Sequence, residues 1–489
     1  MLLLGGALRL LAAVFSQGFL ASDDHHVVIA AADQIASGAG LPPTYARSAL
    51  FPGVIAGIMT VTRTLGIHDP GIEMMAVRLV QAGYSLFVVY LVYKILSPPP
   101  PSPSSPPDPL PVSGVGTRRV NPALIGALLT AVFFAMPVTS VHQLEESVCQ
   151  VPLLAAYWWW HRSAGGRQSS VFGLATGAAL GVALILRFPL IGLIGAFLLI
   201  ATFQARPVAT KLSLLAGLLL ILVAQGYGNA LINHEWWYSF KERLGPMLHP
   251  GRMAVEAEGY PHSPPWHYLL TLLAALIPPV SVLLLASAVR AGIERRFLLL
   301  SGGVVAFLVS HSLIANKQER FVLPVLPLLF ILMVAGLPWL SAWIGRWYRT
   351  MWGYFWTVNA ALVLVLTFSF SKKDRVAPLL YVYRRHDATG VLVAQYNQTF
   401  TVPSYYLGKP APSLLVVKER DAIQMAGSPI NYVVLYSDSP EADRAFLAGA
   451  LHANLTLLTE ITPSLTDRIA HAINPRHNKA RTALIYTTT

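Results

Sequence analysis

Residues 2–20 read LLLGGALRLLAAVFSQGFL, and Ser22-Asp23-Asp24-His25-His26 follows at once. A nearly unbroken apolar run of this length suits one crossing of a bilayer core, which takes about 20 residues of helix. Only Arg9 interrupts it, and a lone arginine in such a run either snorkels to the headgroups or is paired inside. No small-residue cleavage site stands out, so the run reads as a retained first span rather than a signal peptide. The two adjacent carboxylates then sit where the chain first emerges from the membrane.

The rest of the chain has the same character. Its 489 residues are 54% hydrophobic and only 12% charged, with a mean hydropathy of +0.55. Soluble domains carry about a quarter charged residues, so a polytopic α-helical membrane protein is expected. The net charge of +12 lies in short loops between apolar runs. That placement points to topology and lipid headgroups, not to nucleic acid. The single cysteine, Cys149, excludes an intrachain disulfide and any cysteine-based metal site.

Apolar runs near 2–20, 74–96, 122–139, 147–160, 170–187, 189–203, 212–231, 266–289, 297–315, 322–345 and 351–369 give about eleven transmembrane helices. Residues 50–65 are apolar but dotted with Pro52, Gly53, Gly57 and Arg63, and read as an interfacial helix within a large first loop, 22–72. Every even-numbered span exits into a basic loop. The cations are Lys94, Arg118 and Arg119; Arg162 and Arg167; Arg206 and Lys211; Arg290, Arg295 and Arg296; and Arg346 and Arg349. By the positive-inside rule those loops are cytoplasmic. The opposite face then receives Asp23-Asp24, Glu145-Glu146, the long loop from Asn233 to Pro265, and Asn316 to Arg320.

Two stretches break the apolar pattern. Residues 97–121 are proline-rich and extend as polyproline II, either as a tolerated cytoplasmic loop insertion or as a docking segment for a proline-binding module. From about 371 the composition changes. Three β-branched runs, Gly390 to Ala394, Leu414 to Lys418 and Tyr432 to Tyr436, are separated by turn signals, and a helical run, Glu441 to His452, follows. The expected organisation is a transmembrane module, 1–370, and a small α/β extracytoplasmic domain, 371–489. Asn397-Gln398-Thr399 and Asn454-Leu455-Thr456 match the N-glycosylation pattern.

On the non-cytoplasmic face, acids, cations and aromatics recur together. Sugar transfer from a lipid phosphate needs a carboxylate to accept the proton of the attacking hydroxyl. It needs cations for the departing phosphate, and aromatic surface for the sugar. Asp23 and Asp24 are the candidate bases, since adjacent carboxylates raise one another's pKa; the pair also suits a plain helix end. Glu145 and Glu146 are rivals. Asp24, His25 and His26 as metal ligands is a third option, although consecutive residues seldom point at one ion. Lys317, Glu319 and Arg320 form a charged cluster between two apolar spans, costly unless used or solvated. A phosphate clamp by Lys317 or Arg320 is one reading, an interfacial loop the other. Arg47 and Arg187 add cations on that face. Gly259 to Tyr268 adds His262, Trp266 and His267 at a helix entrance, beyond what an aromatic belt requires.

Several of these stretches resemble one family. Lys317-Gln318-Glu319-Arg320-Phe321 with Pro324 and Pro327 resembles the His-Lys-Glu-Glu-Arg-Phe signature of the family-22 mannosyltransferases. These are GT-C enzymes that use dolichyl-phosphate mannose in N-glycan and GPI-anchor assembly. Asp23-Asp24 is similar to their Asp-Glu pair in the first luminal loop, Arg47-Ser48 with Pro52 to their Arg-Ser…Pro stretch, and Arg78-Leu79-Val80-Gln81 to their Arg-Leu-x-Gln. Pro265-Trp266-His267-Tyr268 resembles a Pro-Trp-His-Trp-Tyr stretch of the GPI third-mannose branch. The chain departs from the pattern with Ser22 for Pro, Asp24 for Glu, Asn316 for His and Gln318 for Glu. The shorter arm at position 24 favours Asp23 as the base.

The resemblance implies a GT-C fold and inverting transfer of mannose from a polyprenyl or dolichyl phosphate to a glycan or glycolipid hydroxyl, giving an α linkage. No cofactor and no obligatory metal are implied, and no Gly-rich nucleotide loop is present. The membrane would be that of the endoplasmic reticulum in a eukaryote and the inner membrane in a bacterium. Transfer of another lipid-linked sugar, such as arabinose or glucose, keeps the fold. A lipid or solute transporter is the non-enzyme alternative; its usual inverted repeat is not evident and the charges lie at one face.

Overall fold

The computed structural model describes residues 1–21, 25–97, 121–163, 168–248, 263–314, 317–396, 400–420, 430–475 and 478–488. Asp23-Asp24, the proline-rich run 98–120, His262, Asn316 and Asn397-Gln398-Thr399 lie outside them. Among the described residues six helices are long and apolar enough to cross a membrane: Pro70–Leu96, Ser169–Leu186, Val208–Asn233, Arg295–Leu313, Glu319–Ile344 and Trp347–Thr367. Four shorter apolar helices accompany them: Leu2–Phe15, Leu50–Thr64, Pro122–Val132 and Phe188–Phe203.

Three expected spans are interrupted. The one near 266–289 is two helices, His267–Ala275 and Val280–Gly292, bent by 114°. Pro278 and Pro279 account for this, since proline supplies no N–H and restricts the residue before it; Ile277 adopts φ 66°. The run near 122–139 is a helix Pro122–Val132 and a single turn Ala135–Thr139. The first helix stops at Phe15 rather than Leu20, because Gln17–Gly18 (β1) leaves it to pair in parallel with Phe370–Ser371 (β2), just past the last long helix. Arg9 is fully buried and paired rather than snorkelling. Its guanidinium donates to Ser85 Oγ at 2.8 Å, to the Ala131 carbonyl at 2.9 Å and to the Thr130 carbonyl at 3.1 Å.

Burial separates a central helix from peripheral ones that are also apolar. The helix ending at Ile344 is apolar on every side and 83% buried over its hydrophobic window, while Val208–Asn233 and Trp347–Thr367 are only 28% and 22% buried and present side chains outward. Ser169–Leu186 and Val208–Asn233 pack through glycines. A Cβ on Gly177 would stand 1.9 Å from the Leu214 carbonyl oxygen, and one on Gly217 2.1 Å from that of Leu174, so only glycine lets the backbones meet.

The tail folds as a five-stranded mixed sheet. β3 (Gly390–Gln395), β4 (Ser413–Val417), β5 (Tyr432–Tyr436), β6 (Leu455–Ile461) and β7 (Ala483–Thr488) lie in the order β4-β3-β5-β7-β6. β3 runs parallel to β4 and β5, and β7 antiparallel to β5 and β6. Leu392, Val433, Leu435, Leu447 and Tyr486 fill one side of it. The sheet layer is fastened to the first loop. Tyr405 donates to Glu73 Oε2 at 2.6 Å, Tyr383 to the His68 carbonyl at 3.1 Å, and Lys409 Nζ lies 3.0 Å from Asp33 Oδ2.

Candidate functional site

Glu145 and Glu146 open a short helix, Glu145–Val148. Consecutive helical side chains diverge by about 100°, so the two carboxylates meet different partners. Arg47, from the first loop, places Nη1 3.0 Å from Glu145 Oε1. Arg187, where the helix Ser169–Leu186 ends, places Nη2 3.0 Å from Glu146 Oε1. Arg320, in the 3-10 turn Glu319–Val325, brings Nε within 3.7 Å of the same oxygen. All five are largely or wholly buried. Three arginines that the sequence spreads over 273 positions (320 minus 47) thus converge on one pair of acids. The acids identified as rival bases serve here as counterions. Among the described residues, three guanidinium charges against two carboxylates leave one net positive charge.

Phe321 roofs the cluster, with the Arg187 guanidinium 4.5 Å from its ring centroid. Rings continue from there through His311, 6.4 Å from Phe321, to Tyr268, 6.1 Å from His311. Lys317 is buried, and its ammonium donates to the Ser263 carbonyl at 3.0 Å and to that of Ile314 at 2.7 Å. Desolvation lowers its pKa. This lysine therefore ties the stretch before Trp266 to the Glu319–Arg320 turn. Trp266 is 60% exposed and Glu319 is exposed, so neither joins the ion cluster, and His267 is half-buried beside Tyr268. Gln150 donates to the Leu323 carbonyl at 2.7 Å and holds the same turn against the Glu145 segment.

A second buried polar group lies under the first loop, beside the acidic pair in sequence. His25 is sandwiched between Phe19, centroid 4.7 Å away, and Tyr406, 5.6 Å away, both nearly parallel to it. Burial, with the neighbouring His26, His142 and Arg78, pushes its pKa down to about 3. Burial and Arg78 do the same to His142, also to about 3. His142 Nε2 is 3.1 Å from Ser16 Oγ. Gln143 donates to Gln81 Oε1 at 3.2 Å, Gln81 donates to the His142 carbonyl at 3.3 Å, and Arg78 Nε donates to the Ala13 carbonyl at 2.7 Å. Reading the sequence for charge clusters missed His142 and Gln143. Their signal was a polar pair between two apolar runs, where such residues are costly without a role.

The arrangement offers buried cations, an aromatic roof and an anchored loop leading from the acidic pair. The sequence model of the Alg9-like mannosyltransferase family matches residues 1–404. Among solved structures, ArnT from Cupriavidus metallidurans bound to undecaprenyl phosphate is 12% identical over 99% of this chain and 97% of its own, with a TM-score of 0.60. The apo form of the same protein is 14% identical over 98% and 96%, with a TM-score of 0.59. The Archaeoglobus fulgidus oligosaccharyltransferase in complex with Zn and sulfate is 10% identical over 94% and 72%, with a TM-score of 0.51. These likenesses establish a shared GT-C fold. No curated protein sequence matches significantly.

Proposed function

The chain belongs to the Alg9-like mannosyltransferase family and is a multi-pass membrane glycosyltransferase, and from that premise we propose that it moves mannose from a polyprenyl phosphate to a glycan or glycolipid hydroxyl. Asp23 accepts the proton of the attacking hydroxyl as its oxygen bonds to the mannosyl anomeric carbon. The bond from that carbon to the phosphate oxygen breaks, polyprenyl phosphate departs, and a β-linked donor gives an α-linked product. Asp24 supports the base. Lys317, Arg320, Arg187 and Arg47 face the growing charge on the leaving phosphate. His262, Trp266, His267 and Glu319 border the approach of the donor.

The convergence of Arg47, Arg187 and Arg320 on Glu145 and Glu146 carries this reading. Guanidinium groups held in place by buried counterions are pre-oriented, so little reorganisation is needed when a phosphate arrives. That ArnT was solved with undecaprenyl phosphate supports a lipid-phosphate donor here. The positive-inside pattern supports placing this cluster, the first loop and the C-terminal sheet together on the non-cytoplasmic face.

The test is sugar transfer by purified protein in nanodiscs from a panel of polyprenyl-phosphate sugars, with Asp23→Asn alongside. Mannose transfer by wild type, with a loss of about 10²–10⁴-fold in the variant, is expected for a general base. Transfer of arabinose or glucose alone would reassign the donor. An unimpaired Asp23→Asn would move the base to Asp24. Transfer from no donor, together with lipid flipping in liposomes, would reject the enzyme reading.

A further inference from the structure

A cavity of about 420 Å³ opens where the first loop meets the C-terminal sheet layer, lined by Asp33, Arg63, Glu73, Tyr405, Lys409 and Ala411 among others. We infer that this cavity binds the neutral sugar residues of the acceptor, below the hydroxyl that receives mannose. The inference rests on the transferase reading above and extends it from the donor to the acceptor.

The chemistry of the wall distinguishes a sugar from the other ligands a membrane transferase meets. Arg63 Nη2 lies 2.7 Å from Asp33 Oδ1, and its Nε 2.7 Å from Glu73 Oε1. Lys409 completes Asp33 at 3.0 Å, and the Tyr405 hydroxyl donates to Glu73 at 2.6 Å. Two cations and two carboxylates balance, so no net charge is available to attract a phosphate, unlike the cluster around Glu146. What remains is a dense set of oriented donors and acceptors beside the rings of Tyr405 and His68. That is the surface a polyhydroxylated, uncharged ligand matches, since each hydroxyl both donates and accepts. Ala36, Pro70 and Ala411 interrupt this polar wall with small apolar patches.

The position fits the reaction. Tyr405 faces the cavity while the next residue, Tyr406, stacks on His25. Asp33 lies eight residues beyond His25 along a helical stretch, roughly 12 Å at 1.5 Å per residue. Two successive tyrosines and one short helix therefore connect the cavity to the segment that begins at Asp23-Asp24.

The experiment uses full-length protein in nanodiscs and octyl α-mannobioside as probe. Ala411→Trp fills the cavity from an exposed wall position and leaves the ion network untouched; Lys409→Ala removes one cation at its rim. Saturation-transfer NMR reads probe binding directly, and steady-state transfer reads KM for probe and donor separately. Wild type should show saturation transfer, and Ala411→Trp should abolish it. Both variants should raise the probe KM about tenfold or more with the donor KM unchanged. No saturation transfer to wild type, or binding and probe KM unchanged in both variants, overturns the assignment. Probe binding that Ala411→Trp abolishes, in a protein that transfers no sugar, supports the cavity while rejecting the transferase reading. Normal transfer with unaltered probe KM does the reverse.

Discussion

Arg187 Nη2 and Glu146 Oε1 lie 3.0 Å apart, with the carboxylate fully buried and the guanidinium nearly so. Breaking such a pair from one side leaves an uncompensated buried charge, typically at a cost of 3–5 kcal/mol. Arg187→Ala should therefore lose about that much stability by denaturant or thermal unfolding in detergent. Arg187→Met combined with Glu146→Leu should recover most of it. If the cation serves the donor phosphate, the double variant stays inactive although folded; a folded and fully active double variant would assign the pair to packing alone.

Arg320 and Lys317 are expected to separate by kinetics. Arg320 reaches the shared oxygen at 3.7 Å and also donates to Gln318 Oε1 at 2.8 Å, which holds its guanidinium in place beside the carboxylate. Removing one pre-oriented donor from a developing oxyanion costs about 10²–10³ in kcat. Arg320→Ala should show a loss of that order with a modest change in donor KM. Lys317 already donates to two carbonyls. Lys317→Met should raise the donor KM and loosen the Ser263 to Trp266 entrance, detected as faster proteolysis there. Equal effects of both changes on kcat would merge the two roles.

His25 and His142 give a pH dependence to stability. Burial lowers both from the ordinary 6.5 to about 3. Between those values the unfolded chain binds protons that the native chain refuses. The stability held in these neutral imidazoles is thus complete above about pH 6.5 and drains as the pH falls towards 3, by at most about 1.4 kcal/mol per pH unit for each histidine. His25→Phe keeps the stack between Phe19 and Tyr406 and removes one titration. Its unfolding temperature should fall less steeply than that of wild type from pH 6.5 to 4.5. Parallel slopes would mean that His25 is solvated in solution.

Much of this architecture was legible in the sequence, and the parts that were not share a cause. Hydrophobic periodicity and length place the helices, because each apolar run must bury or face lipid. They do not show that Ile277-Pro278-Pro279 bends one run by 114°, since a proline pair inside an apolar run is also compatible with a kinked single span. β3, β4 and β5 fall on the three β-branched runs, while β6 and β7 went unnoticed because Leu455–Ile461 and Ala483–Thr488 alternate too weakly. Arg47, Arg187 and Arg320 were identified as one set by their common face. Their counterions were not, because pairing across 98 and 41 positions (145−47 and 187−146) is a property of helix packing that no local pattern carries. The cavity at Tyr405 escaped for the same reason: its walls come from the first loop and from the tail.

The junction of β1 and β2 gives the most local prediction. Gly18 has φ 79°, and a Cβ there would lie 1.7 Å from the Ser371 carbonyl oxygen. Gly40 has nearly the same backbone angle, φ 74°, but nothing within 4 Å of its would-be Cβ. The two glycines thus separate conformational strain from steric exclusion. Gly40→Ala should cost only the left-handed penalty, about 1–2 kcal/mol. Gly18→Ala should add the displacement of backbone, about 1–3 kcal/mol more, because β2 must retreat and the parallel pairing of Gln17 with Phe370 is lost. Phe19 follows Gly18 and stacks on His25, so the retreat also moves the base of the first loop. Gly18→Ala should lower sugar transfer well beyond its effect on the folded fraction, whereas Gly40→Ala should leave transfer per folded molecule unchanged. Denaturant unfolding and initial rates on the same preparations decide it, and equal costs for the two substitutions would show that the β1–β2 contact does not hold the first loop in place.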